Sequence, residues 1–176
     1  RVDHASPCPA CQLGKSHTLP FSSSTTVYTA PFQLVELDIW GPASTSSDGF
    51  LYYLSCVDLY TRNTWVYLLK RKSDACNAFQ LFYNLIKTQF DANLLAIQVD
   101  GGGEFRFLHK YLAELGIQLR ITCPHSSQQN GVVERKHRHI VETALTLLAH
   151  AGLSIHYWSY AVLCAAYLIN RLPSKT

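Results

Sequence analysis

Over residues 34–40, LVELDIW, the apolar Val35, Leu37 and Ile39 alternate with Glu36, Asp38 and Trp40. A period of two is that of a β-strand whose faces meet different surroundings. Gly41-Pro42 stops the run, because proline has no N–H for a ladder. After the polar turn STSSDG come FLYYLSCVDLYT and TWVYLLK, both rich in aromatic and β-branched residues. Arg62-Asn63 between them predicts a short hairpin connection, so three strands form a meander. From Ser73, a suitable N-cap, Ala75, Ala78, Phe79, Phe82 and Ile86 recur at every third or fourth position, which predicts an amphipathic helix covering one sheet face.

The next segment, LLAIQV at 94–99, is almost continuously apolar, as in a central strand covered on both faces, and it ends at Asp100 before three glycines. A helix over 104–115 is capped by Gly116, IQLRITC at 117–123 predicts another strand, and 124–131 reads as a polar loop. Val133, His137, Ile140, Val141, Ala144, Leu147 and Leu148 mark the inward stripe of a long helix that stops at Ala151-Gly152. A last helix, 158–172, is apolar nearly all round and is expected to pack centrally rather than against another subunit. The order βββαβαβαα predicts an α/β fold, a mixed five-stranded sheet with helices on both faces.

Composition adds limits. With 48% of its 176 residues hydrophobic, the chain can bury a sizeable core, enough for one domain and a small appendage. Absence of methionine marks it as a segment of a longer product. Its longest apolar stretch, 160–169, falls short of the roughly 20 residues a membrane span needs, so a soluble protein with no membrane partner is expected. Six cysteines (Cys8, Cys11, Cys56, Cys76, Cys123 and Cys164) are too sparse for a disulfide scaffold and are read as reduced in an intracellular setting. Only Cys8 and Cys11 are spaced like ligands, a spacing that redox pairs share. FSSSTTVYTAP reads as a linker, which divides the chain into an appendage at 1–20, a linker at 21–30 and the main domain at 31–176. The net charge is a modest +3, but Lys70-Arg71-Lys72 and RKHRH at 135–139 are clusters that suit either a phosphate backbone or a solvated face.

Asp38 falls near the end of the first strand and Asp100 at the end of the fourth. A crossover helix between them lets these strands run parallel as neighbours, so the two carboxylates converge at one sheet edge. Glu134 lies in the first turn of the long helix, which can be aimed at the same edge. Three carboxylates in one place repel unless a cation neutralises them, and hard oxygen donors select magnesium or manganese. Two such ions clamp the attacking and leaving oxygens of a phosphodiester. Other acids, among them Asp58, Glu104 and Glu142, show that chance placement is the competing explanation.

ELDIWGP, KRKSD, QVDGGGEF, CPHSSQQNGVVERKHRHIVE and YLINRLP, in this order across 31–173, together resemble copia-type retrotransposon integrases of the retroviral integrase superfamily. The resemblance implies an RNase H-like fold with Asp38, Asp100 and Glu134 as catalytic acids that hold two Mg2+ or Mn2+ ions. It implies metal-dependent 3′-end processing of element DNA and strand transfer into target DNA. Gln129, Asn130, Arg135, Lys136 and Arg138 become DNA-binding candidates; Arg138 is the foremost, with an i,i+4 salt bridge to Glu134 as its alternative use. CPACQLGKSH resembles the end of a His-His-Cys-Cys zinc module with Cys8 and Cys11 as ligands. In the family the two histidines precede residue 1, and His4 and His17 do not match them, so Zn2+ is expected only in the longer parent protein. Also implied are a homo-oligomer, a parent polyprotein carrying reverse transcriptase, synthesis and particle assembly in the cytoplasm, and action on chromosomal DNA in the nucleus.

The chain departs from the family in three places. Asp100 and Glu134 enclose 33 residues, fewer than is usual; Ser126-Ser127 replaces a common Thr-Pro; and Val99 stands where a small hydroxyl residue is usual. A degenerate, catalytically silent nucleic-acid-binding remnant is therefore the alternative to an active integrase core. A nuclease of the same fold that cuts without joining would share the acids, and QQNGVVERKHRH argues against it.

Overall fold

The alternation in LVELDIW separates two packed faces rather than a core face and a wet one. In a computed structural model that describes residues 26–106, 108–122 and 131–172, strand β1 (Val35–Trp40) is the middle strand of a five-stranded sheet ordered β3-β2-β1-β4-β5. β2 (Tyr52–Asp58) and β3 (Thr64–Leu69) continue antiparallel from β1, while β4 (Ala96–Val99) and β5 (Gln118–Ile121) run parallel to it. Helix α1 (Ala75–Gln89) crosses from β3 to β4, and α2 (Leu108–Leu115) from β4 to β5. Helices α3 (Gly131–Ala151) and α4 (Trp158–Ile169) complete the chain's order.

Val35, Leu37 and Ile39, joined by Leu54, Cys56 and Leu69, pack against Phe79, Phe82 and Ile86 of α1 and Leu108 and Leu112 of α2. The opposite positions, Trp40, Tyr53, Val66 and Leu68, pack against Ile140, Ala144 and Leu148 of α3 and Trp158, Val162 and Ala165 of α4. Glu36 and Asp38 share a strand face with Trp40, so the polar half of β1 is directed at the helix pair and not at solvent.

Most element boundaries move by a residue or two from the sequence reading, for local reasons. Ser73 does not cap α1; Lys72–Asp74 forms one 3-10 turn in which Asp74 Oδ2 accepts the Arg71 N–H at 2.9 Å, and the α-helix starts at Ala75. The helix expected over 104–115 is split into a 3-10 turn at Gly103–Phe105 and the shorter α2. Gly116 and Gly152 take positive φ at the helix ends where both stops were expected. Asp58, one of the bystander acids, is fully buried and structural: Oδ1 accepts the Phe32 N–H at 2.9 Å, and Oδ2 accepts the Thr61 N–H at 2.8 Å and hydroxyl at 2.6 Å. It thereby closes the β2–β3 connection.

The final helix packs on one side only. Trp158, Ala161, Val162, Ala165 and Ile169 are buried, whereas Tyr160, Leu163 and Tyr167 are exposed, so central packing holds for half its surface. Asn170, just beyond it, explains the polar residue in YLINRLP. Its Oδ1 accepts the Thr64 N–H at 2.9 Å and its Nδ2 donates to the Thr64 carbonyl at 2.7 Å, so the amide acts as a strand partner for the sheet's edge. Losing both bonds in Asn170→Ala is expected to cost about 2 kcal/mol, at about 1 kcal/mol per bond. A thermal melt should fall by roughly 4–8 °C; an unchanged melt removes the clasp from the account.

Candidate active site

The parallel register of β1 and β4 sets Val35 opposite Ile97 and Glu36 opposite Gln98. The side chains of the second pair meet, with Gln98 Nε2 donating to Glu36 Oε1 at 3.0 Å. Two residues further along, in the same register, stand Asp38 within β1 and Asp100 immediately after the end of β4. Neighbouring strands lie about 4.8 Å apart, so the two aspartates occupy adjacent places at one sheet edge.

Asp38 is held from both sides. Its Oδ1 accepts the Ile39 N–H at 2.8 Å, and its Oδ2 lies 3.0 Å from Nε2 of His137 on α3. The other ring nitrogen of His137, Nδ1, lies 2.8 Å from the hydroxyl of the buried Tyr53. Burial, and then the charge of Asp38, push the Tyr53 phenol far above its ordinary range, so it keeps its proton. Ser55, opposite Asp38 in the β1–β2 register, donates to the Asp38 carbonyl at 3.3 Å and lies 3.3 Å from His137 Nε2. Asp100 Oδ1 accepts the Gly102 N–H at 3.2 Å, and the residue lines a cavity of about 200 Å3 with Gly101, Gly102, Phe105, Arg106 and His109.

Glu134 sits in the first turn of α3, a favourable place for a negative charge, and its side chain is exposed. His137, three residues on, takes the inward position facing Asp38. Among the described residues no group of three or more His, Cys, Asp or Glu side chains is close enough to hold a metal ion. Asp38 and Asp100 thus follow the last β1–β4 pair by two residues each, and Glu134 stands about one helical turn from the Asp38 contact, with the three acids not gathered into one cage. Mutual repulsion of three carboxylates favours that separation. The pair of carboxylates nonetheless fits a hard divalent ion, since all the donors are oxygen.

Of the basic candidates, Arg135 and Arg138 are exposed, and no ion pair joins Glu134 to Arg138 among the described residues. Lys136 is half-buried and lines a cavity of about 170 Å3 with Arg62, Asn63, His139 and Asn170. Burial, and then the nearby Arg62 charge, lower its pKa. Gln129, Asn130, Cys8 and Cys11 lie outside the described residues.

Two groups at this edge escaped the sequence reading. His137 looked like one more member of an inward stripe. Glu36 had a visible signal, since it shares the strand face of Asp38, yet no chemistry was assigned to it. It is 3% exposed, and its Oε2 has no hydrogen-bond partner among the described residues. Burial raises its pKa from 4.5 to about 7, and the Asp38 charge adds to this, against the opposing pull of the Val133 N–H, Arg62 and Arg135. The folded state thus holds this proton more tightly than the unfolded chain does. Its contribution to stability is fully present below pH 4.5 and is lost as pH rises through about 7. Glu36→Gln should flatten that slope and raise the melting temperature at pH 8 by several degrees while changing it little at pH 4. Melts of both proteins across the interval test this; parallel pH profiles would contradict it.

Residues 28–127 match the integrase core domain family. The Retrovirus-related Pol polyprotein from transposon RE2 of Arabidopsis thaliana is 44% identical over 167 residues, 95% of this chain and 12% of that protein. The corresponding polyprotein from transposon TNT 1-94 of Nicotiana tabacum is 37% identical over 171 residues, 96% of this chain and 13% of that protein. The chain thus spans about an eighth of the length of these curated relatives. Among solved structures, a simian T-cell lymphotropic virus intasome in complex with PP2A regulatory subunit B56 gamma superposes with a TM-score of 0.73 at 17% identity, covering 96% of this chain and 59% of that one. The HTLV-2 integrase catalytic core domain in complex with magnesium, in a trimeric form, gives 0.61 at 17% identity, covering 83% and 90%. These likenesses show the fold, which is RNase H-like. Matched by the family over more than half its length and by transposon polyproteins over nearly all of it, the chain belongs to the integrase core domain family, on its copia-type retrotransposon side.

Proposed function

We propose that this chain is the catalytic core of a copia-type integrase that processes the 3′ ends of element DNA and joins them to target DNA. The observation that supports the reading is the β1–β4 register, in which Asp38 and Asp100 follow the paired Glu36 and Gln98 by two residues each, with the His137 contact bringing the helix that bears Glu134 to Asp38. Asp38 on β1 and Asp100 just after β4 would hold Mg2+ or Mn2+, and Glu134 on α3 would complete the site. Two divalent ions, when bound, polarise the scissile phosphodiester and stabilise charge on its attacking and leaving oxygens. Arg135, Lys136 and Arg138, together with Gln129 and Asn130, grip the phosphate backbone around the acids. In the parent polyprotein, which also carries reverse transcriptase, Cys8 and Cys11 complete a zinc module, and the functional unit is a homo-oligomer acting in the nucleus.

The test is strand transfer with matching element-end DNA and a supercoiled target in Mg2+ or Mn2+. Joined product, lost on Asp38→Asn, supports the reading. A second reading, a silent remnant that binds DNA, is favoured by the short interval between Asp100 and Glu134 and by the three acids not being gathered. DNA binding without any joining, at every metal concentration, selects it.

A further inference from the structure

We propose that His137 is a positioning residue that fixes the carboxylate of Asp38 for metal, and that Tyr53 sets the direction of that hold; the proposal rests on the metal-holding role of Asp38 in the reading above. The buried stripe of α3 is Val133, His137, Ile140, Ala144 and Leu148, so one imidazole stands among aliphatic side chains. A buried polar ring is costly unless its nitrogens are bonded, and both of these are bonded at the acid edge.

The hydrogen-bond chemistry has one direction. An ionised carboxylate only accepts, so His137 Nε2 carries the proton shared with Asp38 Oδ2 at 3.0 Å. In a neutral ring Nδ1 then accepts from the Tyr53 hydroxyl at 2.8 Å, and that phenol keeps its proton for the reason given above. The donors run Tyr53 to His137 to Asp38. With Ile39 N–H on Oδ1, the carboxylate has one protein donor on each oxygen, which fixes its plane and leaves further lone pairs for another partner.

Stacked aromatic rings support the imidazole from below. Tyr53 stacks on Trp40 with centroids 5.4 Å apart and planes 21° apart, and Trp40 packs on Trp158 at 5.6 Å. His137 also belongs to the helix that carries Glu134 three residues earlier, so the same ring sets how far the glutamate's helix stands from Asp38. A leucine would fill the space and hold the helix to the sheet. It would not orient a carboxylate, and this difference separates positioning from mere packing.

Mn2+ alone, titrated into the 176-residue chain without DNA and read by the spectrum of the free ion, tests the proposal. Wild type should bind, and Asp38→Asn should lose binding. His137→Leu, whose melting temperature should stay close to wild type, is expected to weaken Mn2+ binding by roughly 10- to 100-fold. His137→Gln, whose amide can donate to Asp38, should recover most of the loss, and Tyr53→Phe should move affinity in the weakening direction by a smaller factor. If His137→Leu and Tyr53→Phe remain folded and bind Mn2+ like wild type, the positioning role is overturned and the metal site stands. If Asp38→Asn binds Mn2+ as well as wild type does, the metal reading falls and this proposal falls with it.

Discussion

Asp38→Asn is expected to reduce strand transfer by roughly a thousandfold or more, the scale on which a site loses a group that stabilises transition-state charge. Stability should hardly change. Asparagine keeps an oxygen for the Ile39 N–H, and a tautomer shift at His137 lets its ring accept from the new amide while Nδ1 donates to the Tyr53 oxygen. The hydrogen-bond framework survives and only the charge is lost. Joining assays and melts on the same preparation check both halves. A variant that joins DNA within tenfold of wild type removes Asp38 from the chemistry, and one that fails to fold means that the framework cannot adapt.

Phe82→Ala should have the largest effect on stability. Phe82 is fully buried where α1 meets the sheet, with its ring 5.3 Å from Trp65 and 6.4 Å from both Phe79 and Tyr67. No exposed neighbour can collapse into the space without dragging the helix along. Deleting a buried phenyl ring of this kind costs about 3–5 kcal/mol, a large share of the stability of an ordinary domain. Denaturant unfolding should show the midpoint falling with little change in slope. A loss below about 1 kcal/mol means that α1 is not pinned to the sheet by this ring.

How far the sequence revealed these arrangements depends on what each residue touches. The alternation in β1, the continuous apolar run of β4 and the stripe of α1 are consequences of burial on a regular lattice, and a one-dimensional pattern carries them. The same pattern expected the first and fourth strands to be parallel neighbours, and β1 and β4 pair in parallel two residues before Asp38 and Asp100. The element order predicted helices on both faces, but alternation alone could not say which helices lie across from Glu36 and Asp38. It also missed His137, which has the spacing of a core residue and the bonds of a site residue; only the meeting of α3 with β1 and β2 distinguishes the two. The 3-10 turns at Lys72–Asp74 and Gly103–Phe105 blurred helix starts because side-chain bonds and glycines near them compete with an ordinary cap.

In the proposed site Asp38 and Asp100 share a divalent ion with Glu134 brought in from α3. Anomalous scattering from manganese in crystals of this chain addresses it directly. A peak bonded to carboxylate oxygens of both aspartates is expected, with the Glu134 side chain turned in to meet it. Manganese bound elsewhere, or no peak between the two aspartates at saturating metal, would contradict it.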